Sequence, residues 1–293
     1  MREYISLVTF SHTIFAMPFA LLGFTLGALS PAGSFQWIDL VLVVGCMVFA
    51  RNAAMAFNRL VDAEIDAQNA RTAVRDIPSG RVSHSRAAFF IIANAVLFMV
   101  CAALLNPLCL WLSPVALATI LGYSYTKRFT WLCHVVLGVG LALAPIGAFL
   151  AVTGSFEDAP IILGGVVLLW VAGFDIIYAL QDEAFDTAHQ LRSAPTRFGG
   201  SRSLKISRAL HFTSAVCLAI FSYRLVGIYP KALVSIVLSA LVFTFALIYQ
   251  QRLVSSTDLS RVDRAFFTTN GLSSVLYAAI LIPGLLIGSG YLK

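Results

Sequence analysis

The sequence predicts an all-α membrane protein, a single bundle of nine transmembrane helices. Three observations carry that reading. Hydrophobic residues make up 59% of the 293 and charged residues only 12%, with a mean hydropathy of +0.87; soluble domains carry about 25% charged residues. The apolar residues gather into runs of about 20, the length of helix that crosses the hydrocarbon core of a bilayer. The basic residues collect in the loops on one side of those runs.

The first span is expected at 8–29. Its apolar run from Thr13 to Leu29 is longer than a typical signal-peptide core, so it reads as a spanning helix that is not removed. A short connection, 30–36, leads into the second span, 37–57. The larger polar loop 58–86 separates this from the third, 87–105, which reaches the fourth, 108–124, through residues 106–107 alone. Loop 125–131 leads to the fifth span, 132–152, and the short 153–159 to the sixth, 160–180. Loop 181–206 precedes the seventh, 207–228. The eighth, 232–250, follows directly after 229–231, and loop 251–265 opens the ninth, 266–289.

All but three of the 20 lysines and arginines fall on the side of the four larger loops, the exceptions being Arg224, Lys231 and Lys293. The positive-inside rule places those loops and the N-terminus in the cytoplasm, and the odd number of spans places the C-terminus outside. The net charge of +6 does not indicate nucleic-acid binding, because the basic residues sit in membrane-flanking loops. The partner that the composition demands is the lipid bilayer, and no obligate protein partner is evident. Five cysteines, odd in number and without a CxxC pair, read as reduced packing residues. Gly23–Gly27 and Gly284–Gly288 match the small-residue pattern of close helix packing, and His12 is open to a catalytic role or to the commoner one of a satisfied core histidine.

Two polar clusters stand at the ends of apolar spans. The first, N-R-L-V-D-A-E-I-D, sets Asn58, Asp62 and Asp66 at four-residue steps. The second, D-I-I-Y-A-L-Q-D-E-A-F-D, sets Asp175, Asp182 and Asp186 at steps of seven and four. At 3.6 residues per turn each set shares one helix face. Acids at a helix end that meets water need no function, but a charge at the bilayer centre costs about 2.5–3.5 kcal/mol and the pattern occurs twice. The oxygen ligands of Asn58, Asp62, Asp66, Asp182 and Asp186 suit a hard cation such as Mg²⁺, which commonly bridges carboxylates to substrate phosphates. Glu64 points off the first face. Asp175 lies about two turns inside its span, so it must be paired, coordinated or protonated.

Basic and aromatic residues accompany the acids: Arg71, Arg75, Arg81 and Arg86 in the 67–86 segment, Tyr123, Lys127 and Arg128 in Y-S-Y-T-K-R, and Tyr178 beside the second stripe. Acids that hold Mg²⁺ beside arginine and lysine donors are what a diphosphate requires. Arg71, Arg75 and Lys127 are read as part of such a site, whereas Arg81 and Arg86 read as topology determinants. Arg51, seven residues before Asn58 on the same face, is open to three partners: Asp62, a substrate carboxylate, or an ion pair within the bundle. No P-loop, zinc ligand set or Ser-His-Asp signature is visible.

Taken together, N-x-x-x-D-x-x-x-D after helix two, R-T-x-x-R, Y-x-x-x-K after helix four and D-x-x-x-D after helix six resemble the UbiA family of intramembrane prenyltransferases, over essentially the whole chain. The stretch A-R-N-A-A-M-A-F-N-R-L-V-D is similar to bacterial members that make respiratory quinones, the 4-hydroxybenzoate polyprenyltransferases and the futalosine-route menaquinone enzymes. The four-helix offset between the two stripes suggests two four-helix pseudo-repeats plus a ninth helix; the resemblance implies one prenyltransferase domain over 1–293 in the bacterial inner membrane, with the active site at the cytoplasmic loops. It implies Mg²⁺ as cofactor, a polyprenyl diphosphate donor and an aromatic acid acceptor. Metal and diphosphate roles fall to Asn58, Asp62, Asp66, Asp182 and Asp186, and diphosphate contacts to Lys127, Arg71 and Arg75. Arg128, Tyr123 and Tyr178 are further substrate-binding candidates. Asp175 is the candidate to position or deprotonate the acceptor, and Arg51 the candidate for its carboxylate. One position departs: the family pattern has Asp directly after the Asn, and here that residue is Arg59. Rival expectations are a transferase of the same fold acting on haem, chlorophyllide or a lipid, an ion-coupled transporter, and a non-catalytic assembly protein.

Overall fold

The computed structural model describes residues 13–291. Among them are nine long helices and no strand: α1 (Thr13–Leu29), α2 (Trp37–Val61), α3 (His84–Leu105), α4 (Pro107–Thr126), α5 (Cys133–Thr153), α6 (Asp158–Ala179), α7 (Gly200–Ile228), α8 (Leu233–Leu253) and α9 (Asn270–Gly288). Eight of these, with their flanking turns, are long and apolar enough to cross a membrane. The described part of the first expected span, α1, has 17 residues; residues 8–12, with His12, lie outside the described residues.

Helix ends follow local chemistry more than hydropathy. Ser83 starts α3 three residues before the apolar run by accepting the Arg86 amide at 3.3 Å, and Asn106 starts α4 by accepting the Cys109 amide at 2.9 Å, with Pro107 next. The seventh helix begins at Gly200 rather than 207, because its first turns lie beyond the apolar run yet bury Ser203, Leu204 and Ser207. The ninth is entered through a π-helical segment, Arg264–Thr269.

The bundle is packed unevenly. In the window of the α6 span, 61% of residues are buried, against 17–22% in the windows of α2, α3 and α4. Trp170 lies at the centre of α6 with Phe19, Phe174 and Phe243 around it at ring-centroid distances of 5.1–5.4 Å, and its indole N–H donates to Asn270 at 3.2 Å. The dense half joins α1 and α5 to α9. The looser half, α2 to α4, leaves space against α5 and α6, and the functional residues face that space. All five cysteines are free thiols.

Both small-residue pairs sit at close helix contacts. A Cβ at Gly23 would collide with the Pro145 carbonyl of α5, and one at Gly284 with the Ser235 side chain of α8. Since the obstruction at Gly23 is backbone, Gly23→Val is expected to cost about 1–3 kcal/mol and to lower the melting temperature in detergent. A wild-type melting curve would contradict this packing.

Candidate functional site

Asn58, Asp62 and Asp66 do not lie on one unbroken helix. The chain bends at Asp62 (φ −93°, ψ 9°) and resumes as the short helix Ala63–Gln68. The four-residue register survives the bend, because the Asp62 amide donates to the Asn58 carbonyl at 3.0 Å and the Asp66 amide to that of Asp62 at 2.7 Å. The second stripe bends likewise: α6 passes through a 3-10 turn, Leu180–Asp182, into the short helix Glu183–Ala188. Both stripes therefore turn inward and open on one cavity of about 830 Å³. Every candidate residue lines it: Arg51, Asn58, Asp62, Asp66, Arg71, Arg75, Tyr123, Lys127, Arg128, Asp175, Tyr178, Asp182 and Asp186. Farther from the loops its wall turns apolar, along Leu137, Gly140, Ala144, Gly147 and Ala151 of α5. At about 1.5 Å per residue, that wall extends roughly 20 Å.

The acids are met by bases from the loops, and three of the four pairs tie separate elements together. Nη2 of Arg71 donates to both oxygens of Asp182, at 2.9 and 2.7 Å, while its Nη1 lies 3.4 Å from the Tyr178 hydroxyl. Lys127 Nζ donates to Asp186 at 3.1 Å and Arg128 to Asp62 at 3.3 Å. Arg75 donates to Asp66 at 2.7 Å, and Asn58 to Asp62 at 3.2 Å. Burial pushes the Asp62 carboxyl up from its ordinary value, with the Arg128 hydrogen bond pulling the other way. Burial works against the Lys127 ammonium, yet Asp186 and Asp182 outweigh it and hold its pKa above that of an ordinary lysine. Arg71 is held up in the same way by Asp182.

Two expected partnerships are corrected. Arg51 does not pair with Asp62, which is held by Arg128 instead, nor does it form a bundle ion pair among the described residues; its buried Nε has no hydrogen-bond partner. The sequence reading also missed three residues. His134, at the start of α5, places Nδ1 2.7 Å from Asp175 Oδ2. The signal was indirect: a carboxylate within a spanning helix demands a partner. Phe266, in the π-helical segment, stacks on Tyr178 with centroids 4.0 Å apart, and its apolar surroundings gave no signal. Asp76, only 4% exposed, binds Arg59 at 3.3 Å and Arg81 at 2.9 Å. Arg59 is thus tied to the 67–86 segment, and Arg81 serves that anchor, outside the cavity lining.

The donor set is one of hard oxygens, which fits Mg²⁺. Among the described residues no group of three or more His, Cys, Asp or Glu is arranged to hold a metal ion by itself. Magnesium is ordinarily bound by one or two carboxylates together with substrate phosphates and water, so the residues fit an ion shared with a diphosphate.

The sequence model of the UbiA prenyltransferase family matches residues 16–272. A 4-hydroxybenzoate octaprenyltransferase from Saccharophagus degradans is 29% identical over 251 residues, covering 86% of this chain and 82% of the relative. The apo structure of a UbiA homolog from Aeropyrum pernix K1 is 31% identical with a TM-score of 0.81, over 93% of this chain and 97% of that one. A UbiA homolog from Archaeoglobus fulgidus, solved bound to GPP and Mg²⁺, shares the fold at 21% identity, with a TM-score of 0.74 over 97% and 99% of the two chains.

Removing Asp76 would leave two arginines without their carboxylate, one of them largely buried. Asp76→Ala is expected to cost about 3 kcal/mol of local stability, read as faster hydrogen exchange confined to 67–82. Unchanged exchange there would show that the segment does not depend on this anchor.

Proposed function

This chain belongs to the UbiA prenyltransferase family, and from that premise we propose that it transfers a polyprenyl group from a polyprenyl diphosphate to an aromatic acid of the 4-hydroxybenzoate or dihydroxynaphthoate type, in respiratory quinone synthesis. It is an integral membrane enzyme. The proposed location is a bacterial inner membrane, with nine spans and with the N-terminus and the larger loops cytoplasmic. The observation that carries the reading is the single cavity, which joins two acid stripes and their bases to a long apolar wall. The relative named as a 4-hydroxybenzoate octaprenyltransferase supports the choice of acceptor.

In this reading Asn58, Asp62, Asp66, Asp182 and Asp186 would hold Mg²⁺ together with the diphosphate. Bound there, magnesium supplies charge neutralisation that makes diphosphate a better leaving group. Arg71, Arg75, Lys127 and Arg128 donate to the oxygens on which charge grows as the allylic C–O bond breaks, an arrangement aimed at the transition state. The apolar wall takes the prenyl tail and keeps water from the allylic cation. Arg51 faces the cavity with an unpartnered Nε, which suits it to the acceptor carboxylate. Tyr123 and Tyr178 flank the ring, and Asp175 receives the ring proton.

Asp62→Asn or Asp182→Asn is expected to lower Mg²⁺-dependent transfer by about 100-fold or more while the protein still inserts and folds. Full activity in either variant would contradict the metal role. Arg51→Ala is expected to raise the acceptor KM by about 100-fold and to leave the KM for prenyl diphosphate nearly unchanged. A rise in the donor KM instead would assign Arg51 to the diphosphate.

A further inference from the structure

Asp175 faces two ways. It lines the cavity, yet its Oδ2 is committed to His134 Nδ1 at 2.7 Å. His134 is almost wholly buried behind it, with a side chain 2% exposed, and does not line the cavity. The other ring nitrogen, Nε2, lies 3.2 Å from the backbone amide of Ala194. A backbone amide can only donate, so Nε2 accepts and carries no hydrogen. The ring proton is therefore on Nδ1 and is donated to Asp175. An acid that accepts this bond at Oδ2 keeps its other oxygen for the cavity.

The far end of the chain of bonds is rigid. Ala194 is the first residue of the helix Ala194–Phe198, where amides have no partner within the helix. The turn before it is locked by a capping box in which the Ser193 amide donates to Thr196 Oγ1 at 2.8 Å and the Thr196 amide to Ser193 Oγ at 3.4 Å. His134 takes up one of the free amides, so three elements meet at its ring: the start of α5, the last turns of α6 and the short helix Ala194–Phe198.

We infer that His134 is a positioning residue for the transfer reaction, holding Asp175 as a carboxylate turned toward the cavity to take the proton that leaves the aromatic ring. The inference rests on the reading of the cavity as a prenyltransferase site. In the step concerned the allylic C–O bond breaks and diphosphate leaves with the electron pair. A ring carbon forms the new C–C bond to the prenyl carbon. The ring C–H bond then breaks, its electrons restore aromaticity, and the proton goes to the free oxygen of Asp175. His134 keeps its Nδ1 proton throughout, because its Nε2 is occupied by Ala194. This orienting use of a buried hydrogen bond is the same in kind as the second partner that fixes a ligand or a catalytic base elsewhere.

The test uses the full chain in detergent with geranyl diphosphate and Mg²⁺, assayed with 4-hydroxybenzoate and with a dihydroxynaphthoate as acceptors. Two rates are read: prenyl transfer, and the slow release of diphosphate without acceptor, which needs the metal–diphosphate groups but no ring deprotonation. His134→Leu is expected to lower the kcat of transfer by about 100-fold, with the acceptor KM and the acceptor-free release each changing less than about twofold. His134→Gln, which retains one donor and one acceptor, should recover most of that loss. The double variant His134→Leu/Asp175→Asn should be no slower than Asp175→Asn alone, as expected of residues acting through one another. Losses that multiply in the double variant, an unchanged kcat in His134→Leu, or an equal fall in transfer and acceptor-free release would each overturn the inference and leave the prenyltransferase reading standing. A wild-type chain that neither transfers the prenyl group nor releases diphosphate would overturn both.

Discussion

Charge that enters an apolar bundle has to be answered by opposite charge, and this constraint organises the polar end of the molecule. An uncompensated carboxylate away from water is costly, and removing one partner of a buried pair leaves the other exposed to that cost. The four acids at the ends of α2 and α6 are each met by a base. Three of these bases come from a different part of the chain: Arg71 crosses from the segment after α2 to Asp182, and Lys127 and Arg128, both after α4, reach Asp186 and Asp62. The pairs therefore tie together the elements around the cavity as well as neutralising its charge. Acids suited to a cation and bases suited to an anion are intermixed there, the arrangement in which a metal diphosphate would find partners for both of its parts.

The rest of the fold supports that arrangement. The dense packing around Trp170 holds α6 in place; α6 carries Asp175 and Tyr178, and the turn that follows it carries Asp182. The π-helical entry to α9 brings Phe266 onto the Tyr178 ring, so the residue that receives Arg71 is itself held from behind. On the other side the looser α2 to α4 half leaves room for a substrate. The departure at Arg59 has a local explanation: its guanidinium is engaged by Asp76, which Arg81 also holds, so the change of charge beside Asn58 is absorbed within the 67–86 segment.

Much of this was legible in the sequence because it is local. Runs of apolar residues determine helices and their approximate spans, and four-residue spacing determines which acids share a face. That information sufficed for the helical class, for both stripes, and for Arg71, Arg75, Lys127 and Arg128 as their company. The register of Asn58, Asp62 and Asp66 persists even though the helix breaks at Asp62, since the bend preserves the four-residue hydrogen bonds.

Only the tertiary structure decided which partner each charge has. Spacing along one helix cannot say that Asp175 of α6 meets His134 of α5, that Asp62 is held by Arg128 rather than Arg51, or that Arg59 belongs to Asp76. Those choices depend on how helices rotate against one another. Hydropathy is silent on that rotation, because lipid tails and a protein core are equally apolar. For the same reason Leu137 and Ala144, which line the cavity, read no differently in the sequence from Trp111 and Phe245, which lie exposed on the outside of the bundle.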